Sequence, residues 1–195
     1  TVTAVNDAPV LAAVDTVSFD EDDTLSIILS ASDVDGDDLT YSISGGTNIE
    51  ATVNGTTVNF TASQDFNGSE EFTATVSDGN LAASQTFTVT VNAVNDAPAL
   101  AAVDTVTFAE DGSLSINLSA SDVDGDDLTY SVTGGDQITA TVDGTTVSFA
   151  APANYNGSEE FTATVDDGNL TASQTFTVTV TAVNDAPVLA AVDTV

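Results

Sequence analysis

An 89-residue unit that repeats without insertion or deletion limits what this chain can fold into more than any other feature. Val5-Asn6-Asp7-Ala8-Pro9 returns at Val94–Pro98 and again at Val183–Pro187. Residues 5–93 and 94–182 differ at 21 positions and agree at 68. Whatever forms must close within one unit and form twice. Thr1–Val5 copies Thr179–Val183, and Val188–Val195 copies the start of a unit, so two full repeats of a longer array are expected. The expected divisions are the end of a preceding repeat with its linker at 1–9, a first repeat at 10–94 and a linker at 95–98. A second repeat follows at 99–183, then a linker with the start of a truncated third repeat at 184–195.

Inside the unit, apolar residues recur with a period of two. Leu25, Ile27, Leu29 and Ala31 alternate with Ser26, Ile28, Ser30 and Ser32. Phe72, Ala74 and Val76 alternate with Thr73, Thr75 and Ser77, and Phe87, Val89 and Val91 alternate with threonines. This is the pattern of half-buried antiparallel strands. Seven strands are predicted, at about 15–19, 25–31, 39–44, 49–53, 57–61, 70–77 and 84–94. Asn54-Gly55 and Asp143-Gly144 suit a tight hairpin between the fourth and fifth. The expected fold class is all-β: two tandem Greek-key β-sandwiches, with about seven strands each and no helix. Differences between the copies spare the predicted core. Leu25, Leu29, Phe60, Phe72, Val76, Phe87 and Val89 all recur, while Ile28, on the opposite face, becomes Asn117.

Charge narrows the partners. There are 31 acidic residues and no Lys, Arg or His, giving a net charge of −31. A surface without a cation does not attract nucleic acid, anionic lipid headgroups or phosphorylated ligands. No side-chain salt bridge can form, so metal ions or external salt must neutralise the carboxylates that folding brings together. There is no Cys, which removes disulfides and leaves metal as the expected staple. No segment reaches the roughly 18 apolar residues of a membrane helix. No signal peptide is evident. Without Cys, His or Lys, and with serines lacking an activating partner, no enzyme activity is expected.

Four acidic groups recur at predicted strand ends. Glu21-Asp22 (Glu110-Asp111) follows the first strand. Asp33 and Asp35 (Asp122, Asp124) are alternate residues before Gly36 (Gly125), with Asp37 and Asp38 behind them. Asp78-Gly79 (Asp167-Gly168) ends the sixth strand. Asn6-Asp7, Asn95-Asp96 and Asn184-Asp185 occupy the linkers. Each alone reads as a solvated turn or loop. In a sandwich, however, the loops after the second and sixth strands share one end, and the linker arrives there. Asn6, Asp7, Asp33, Asp35 and Asp78 are therefore expected to converge, as are Asn95, Asp96, Asp122, Asp124 and Asp167. Several carboxylates around one point form a hard oxygen cage suited to Ca²⁺. Asp-Val-Asp-Gly-Asp-Asp is no EF-hand, because its glycine comes too early and no helices flank it. Asn54-Gly55-Thr56, Asn67-Gly68-Ser69 and Asn156-Gly157-Ser158 fit a glycosylation sequon but read equally as turns.

These residues carry a resemblance. Glu21 after a strand, Asp33-Val34-Asp35-Gly36, Leu39-Thr40-Tyr41-Ser42-Ile43, Thr75-Val76-Ser77-Asp78-Gly79 and Val94-Asn95-Asp96-Ala97-Pro98 follow, in order, the pattern of cadherin ectodomains. They resemble still more closely the bacterial cadherin-like tandem repeats of giant surface adhesins, including the RTX type. Both repeats are covered. The resemblance implies Ca²⁺ at each junction, held by the linker Asn-Asp, by the Asp-x-Asp and Asp-Gly of the following repeat, and by a glutamate of the preceding one. The complete set would be Glu21, Asn95, Asp96, Asp122, Asp124 and Asp167. Asn6, Asp7, Asp33, Asp35 and Asp78 would lack a preceding repeat, and Glu110, Asn184 and Asp185 a following one. The linker is shorter than in cadherins and the Leu-Asp-Arg-Glu motif is absent, which implies one or two ions per junction.

The implied function is a calcium-stiffened spacer, or extender, of a large bacterial surface adhesin. It would be extracellular and monomeric, partnered by neighbouring repeats, without direct membrane contact. The alternative is a calcium-dependent glycan-binding or homophilic adhesion module. A chain with no Trp, and with Tyr41, Tyr130 and Tyr155 as its three tyrosines, offers that alternative few stacking surfaces. A salt-adapted acidic surface is compatible with the spacer. It accounts for Asp20, Asp23 and Glu50, which the second copy loses.

Overall fold

The computed structural model describes Thr3, residues 5–187 and Leu189. Most of the expected third-repeat start, Val188–Val195, and part of the expected 1–9 segment lie outside them. The chain forms two compact units, Thr1–Val94 and Asn95–Val195. Among the described residues every regular element is a strand.

The first unit contains β1 (Val10–Leu11), β2 (Val17–Asp20), β3 (Thr24–Ile28), β4 (Ala31–Ser32), β5 (Thr40–Gly45), β6 (Ile49–Asn54), β7 (Thr57–Ala62), β8 (Gly68–Ser77) and β9 (Ala82–Asn92). One sheet has the order β2-β9-β8-β5 and the facing one β3-β7-β6, with β1 paired to β4. The second unit repeats this with β10 (Ala99–Leu100), β11 (Val106–Ala109), β12 (Ser113–Asn117), β13 (Ala120–Ser121), β14 (Thr129–Gly134), β15 (Thr139–Asp143), β16 (Thr146–Ala150), β17 (Gly157–Asp166) and β18 (Thr171–Thr181). Its sheets run β11-β18-β17-β14 and β12-β16-β15.

Alternation explains the packing. Phe72, Ala74 and Val76 of β8 and Phe87, Val89 and Val91 of β9 point inward and are at most 5 % exposed. Phe60 meets Phe72 edge-on with ring centroids 5.2 Å apart, and Phe149 meets Phe161 at 5.3 Å in the second unit. Such edge-to-face pairs contribute roughly 0.5–1.5 kcal/mol beyond area burial. The predicted core positions lie in these clusters. Ile28 is exposed, as its replacement by Asn117 implies.

Three details differ from expectation. A two-residue strand outside the predicted set comes first: β1 pairs with β4, and after a crossing segment β2, at the position of the predicted 15–19 strand, joins the other sheet, parallel to β9. The second predicted strand is broken between β3 and β4, where Leu29 and Ala12 send their N–H groups to Thr56 and Ser30. The hairpin turn is Gly55-Thr56 rather than Asn54-Gly55, because Asn54 pairs with Thr57. Gly55 has φ 62° while Asn54 is not left-handed, which fits a turn with glycine first.

Candidate metal centre

The Asp-x-Asp-Gly run leaves β4 and forms a loop folded around one oxygen. Asp33 Oδ1 accepts the N–H groups of Asp35 (2.9 Å), Gly36 (3.1 Å) and Asp37 (3.5 Å). Asp122 Oδ1 repeats this with Asp124 (3.0 Å), Gly125 (3.1 Å) and Asp126 (3.4 Å). Gly36 and Gly125 turn the loop at φ 79° and 81°. One oxygen of each hub carboxylate is thus committed to backbone. The other, Oδ2 of Asp33 or Asp122, is buried and has no hydrogen-bond partner. An unpaired buried carboxylate oxygen is costly, and a cation is the ligand that would satisfy it.

The remaining residues close around this point. Asp78 Oδ1 accepts the N–H groups of Asn80 and Leu81, both at 2.7 Å, and its Oδ2 accepts Asn6 Nδ2 at 2.8 Å. Asp7 donates its N–H to Asp35 Oδ2 at 2.8 Å. In the second unit Asp167 takes Asn169 and Leu170 at 2.6 and 2.7 Å and Asn95 Nδ2 at 3.0 Å, and Asp96 donates its N–H to Asp124 Oδ2 at 2.8 Å. Asn169 Nδ2 also holds Asn95 Oδ1 at 3.1 Å. The convergence expected from loop placement is present in each unit.

Charge crowding is visible in the acidities. Lost hydration, followed by the charges of Asp33, Asp35, Asp78 and Asp38, pushes Asp37 up. Asp126 is raised the same way, with Asp122 and Asp124 its nearest repelling neighbours. Asp167 is held down by the N–H groups of Leu170 and Asn169. Asp78 is held down by Leu81 N–H and the Asn6 amide. The loop after β4 or β13 thus carries a carboxylate whose charge is disfavoured, and the loop after β8 or β17 one whose charge is favoured.

The spacing pattern missed a member. Carboxylate oxygens of Asp33, Asp35 and Asp37 lie within 4.8 Å of one another, as do those of Asp122, Asp124 and Asp126. The signal was there: Asp37 continues the i, i+2 alternation past Gly36. Glu21 and Glu110 sit instead where β9 and β18 leave their units. They are 4 % and 7 % exposed and accept the N–H groups of Val94 at 2.6 Å and Val183 at 2.5 Å. Near Glu21, Asp22 and Asp65 adopt left-handed backbones (φ 62° and 54°) and bring carboxylate oxygens within 4.8 Å. The second unit has Asp111 accepting the N–H of Asn154 at 3.2 Å. Asn184 bonds only locally, to Asp185 O at 3.2 Å, among the contacts described for it.

The donor set is all oxygen, anionic and loop-borne, with no thiolate or imidazole. That suits Ca²⁺ rather than a transition metal.

The sequence profile of the bacterial Ig domain matches residues 6–92 and 95–181. Chitinase A of Pseudoalteromonas piscicida is 30 % identical over 179 residues, which is 90 % of this chain. The chain spans 22 % of that relative's length. Among solved structures, Drosophila N-cadherin EC1-4 aligns over 90 % of this chain and 50 % of its own, with TM-score 0.59 and 17 % identity. Human protocadherin-24 EC1-2 aligns over 91 % of this chain and 99 % of its own, with TM-score 0.57 and 21 % identity. At such identities the likeness is one of fold.

Proposed function

We propose that this chain, which belongs to the bacterial Ig domain family, is an extracellular spacer whose linkers are fixed by Ca²⁺. The observation that carries the reading is the buried, unpartnered Oδ2 of Asp33 and of Asp122, each beside two further carboxylates. In the second unit Asp122, Asp124 and Asp126 would supply oxygens, with Asn95, Asp96 and Asp167 positioned around them. Asn6, Asp7, Asp33, Asp35, Asp37 and Asp78 would do so in the first. When bound, the ion supplies positive charge that no side chain here can supply. Asp96 already donates its N–H to Asp124, so an ion on Asp124 ties the linker to the second repeat. The preceding residue but one, Val94, is tied to Glu21 of the first repeat. Anchoring residues so close together removes torsional freedom from the linker, and tandem modules with fixed linkers keep a distal domain at reach.

The affinity needed is modest, about 10⁻⁴–10⁻³ M for extracellular modules. The parent need not be an adhesin. A relative named Chitinase A makes an enzyme an equally suitable owner of such spacers, and no reaction is assigned to this chain itself. A glycan-binding role has one supporting feature. A groove lined by Leu39, Thr40, Tyr41, Val53, Gly55 and Thr56 recurs as Leu128, Thr129, Tyr130, Val142, Gly144 and Thr145.

The test is small-angle scattering with thermal unfolding, in Ca²⁺ and then in chelator with matched Na⁺ or Mg²⁺. Calcium alone should narrow the distribution of shapes and raise the melting temperature. An equal response to every salt would leave an acidic, salt-tolerant surface and no metal centre. Binding of soluble chitin oligosaccharides by the chain would favour the groove instead.

A further inference from the structure

We propose that Asn67 and Asn156 are acceptors for an N-linked sugar, at the same place on each repeat. The inference goes beyond the spacer reading and needs no metal. Both residues open an Asn-x-Ser/Thr triplet, the pattern that N-glycosylation requires on a surface loop. A third triplet opens at Asn54. The fold separates the three. Asn54 pairs with Thr57 across the Gly55-Thr56 turn, so its triplet is folded back on itself. The hairpin accounts for this residue, and Asp143, which suits a turn as well, replaces it in the second repeat. Asn67 ends the loop between β7 and β8. Gly68 and Ser69 are the first residues of β8, so this triplet runs extended from an exposed start. Asn156, Gly157 and Ser158 repeat the arrangement at the start of β17.

Packing accounts for the other two members of each triplet and not for the asparagine. A Cβ on Gly68 would sit 3.2 Å from the Phe66 ring, and one on Gly157 2.8 Å from the Tyr155 hydroxyl. Ser69 Oγ lies 2.8 Å from Thr90 Oγ1, and Ser158 Oγ 2.8 Å from Thr179 Oγ1. Asn67 and Asn156 are exposed, and their side chains have no hydrogen-bond partner among the described residues. Neither has a left-handed backbone, a conformation taken in these loops by Asp65 and Asn154. The ordinary reasons for an asparagine in a loop, a bonded amide or a left-handed backbone, are thus both missing. Yet the asparagine stays where the loop has drifted. Ser63, Gln64, Asp65 and Phe66 become Pro152, Ala153, Asn154 and Tyr155, while Asn156 still matches Asn67. A residue that the fold does not use, unchanged after four consecutive substitutions, points to a requirement from outside the fold.

The reaction takes a sugar activated as a phosphate ester, on a nucleoside or a lipid, and the enzyme that transfers it. Asn67 Nδ2 forms a bond to the anomeric carbon. The bond from that carbon to the donor's phosphate oxygen breaks, and the phosphate leaves with the electron pair. The amide gives up one proton to a base of the enzyme, and nothing is oxidised or reduced. A bulky, solubilising group at this point would cover the loop between β7 and β8.

The experiment maps the protein as its own cells make it, with the same chain from cells that lack N-glycosylation as the blank. Trypsin has no site without Lys or Arg, so the chain is cut after glutamate. That yields 51–70, which holds Asn54 and Asn67, and 111–159, which holds Asn156. Mass spectrometry with fragmentation that keeps the sugar attached should place it on Asn67 and Asn156 and leave Asn54 bare. Ser69→Ala should abolish the sugar on Asn67 and spare the one on Asn156, and Ser69→Thr should restore it. Asn67→Gln should lose the sugar, and from the blank cells it should melt with the wild type. A sugar on either asparagine, absent from Asn54, supports the assignment. It is overturned if both are bare, if the sugar sits on Asn54 or on hydroxyls alone, if Ser69→Ala keeps it, or if deamidation is the sole change at Asn67-Gly68. Calcium enters none of these outcomes, so a failure of the metal centre leaves them distinct.

Discussion

At the scale of single residues, the two oxygens of Asp33 and Asp122 have separate tasks. One organises a loop and the other, buried without a hydrogen-bond partner, is the oxygen proposed to meet the ion. Asp122→Asn can keep the first task, since the amide retains an oxygen, and must lose the second. Calorimetry should then show the second repeat unchanged in chelator but without its calcium-dependent gain. At one hundred times Kd that gain is about 2.7 kcal/mol. Glu159 shows a carboxylate spent wholly on structure. Partial burial pushes it up, but the N–H groups of Asp136, Ile138 and Gln137 and the Tyr155 hydroxyl outweigh that and hold it at about 2. Its ordinary value is 4.5, so the charged form is favoured by folding. The stability it contributes is full above about pH 4.5 and is lost as pH falls towards about 2. Glu159→Gln should lower the melting temperature of the second repeat at neutral pH and flatten its decline over that acid window. The Asp-x-Asp run and linker Asn-Asp were legible in the sequence because they repeat and sit at strand ends. Glu159 and its counterpart Glu70, which accepts the N–H groups of Thr47, Asn48 and Ile49, were not, nor were Gln85 and Gln174, which bridge Leu11 O with Val14 N–H and Leu100 O with Val103 N–H. Their partners include backbone groups of segments distant in sequence, which no side-chain pattern marks.

At the scale of elements, alternation revealed the long strands and hid their direction. A parallel and an antiparallel neighbour impose the same period of two, so the joining of β2 to β9 could not be read. The two-residue strands β1 and β4 are too short for any period to register. The corner between β14 and β15 was legible only as two glycines. There a Cβ on Gly135 would collide with Ile138 O and the Phe161 ring, at a φ of 72° that side chains rarely adopt. Gly135→Ala should therefore destabilise the second repeat by about 2 kcal/mol or more. Denaturant unfolding should show the second transition moving and the first staying in place. Ile28→Asn, by contrast, copies the second repeat at an exposed site. It should change stability by less than about 0.5 kcal/mol.

At the scale of the whole molecule, 31 negative charges and no positive side chain make every stability measurement a measurement of the solvent. Sodium chloride should raise the melting temperature gradually and equally in the wild type and in Asp122→Asn, because screening does not depend on one oxygen. Calcium should act at millimolar levels and only where the hub carboxylate is intact. Repetition made the architecture legible at this scale, whereas the parent protein was not, since a repeat's sequence reports its own packing and not what the repeat is joined to. The parallel pairing of β2 with β9 also orders events during synthesis. A ribosome releases β2 first and its neighbour in the sheet last. A repeat therefore cannot complete its larger sheet until residues near 92 have emerged. The near-copy of β2 in the next repeat, Val106–Ala109, emerges only after β9. By then the place beside β9 can already be filled, and translation itself guards nearly identical neighbours against exchanging strands.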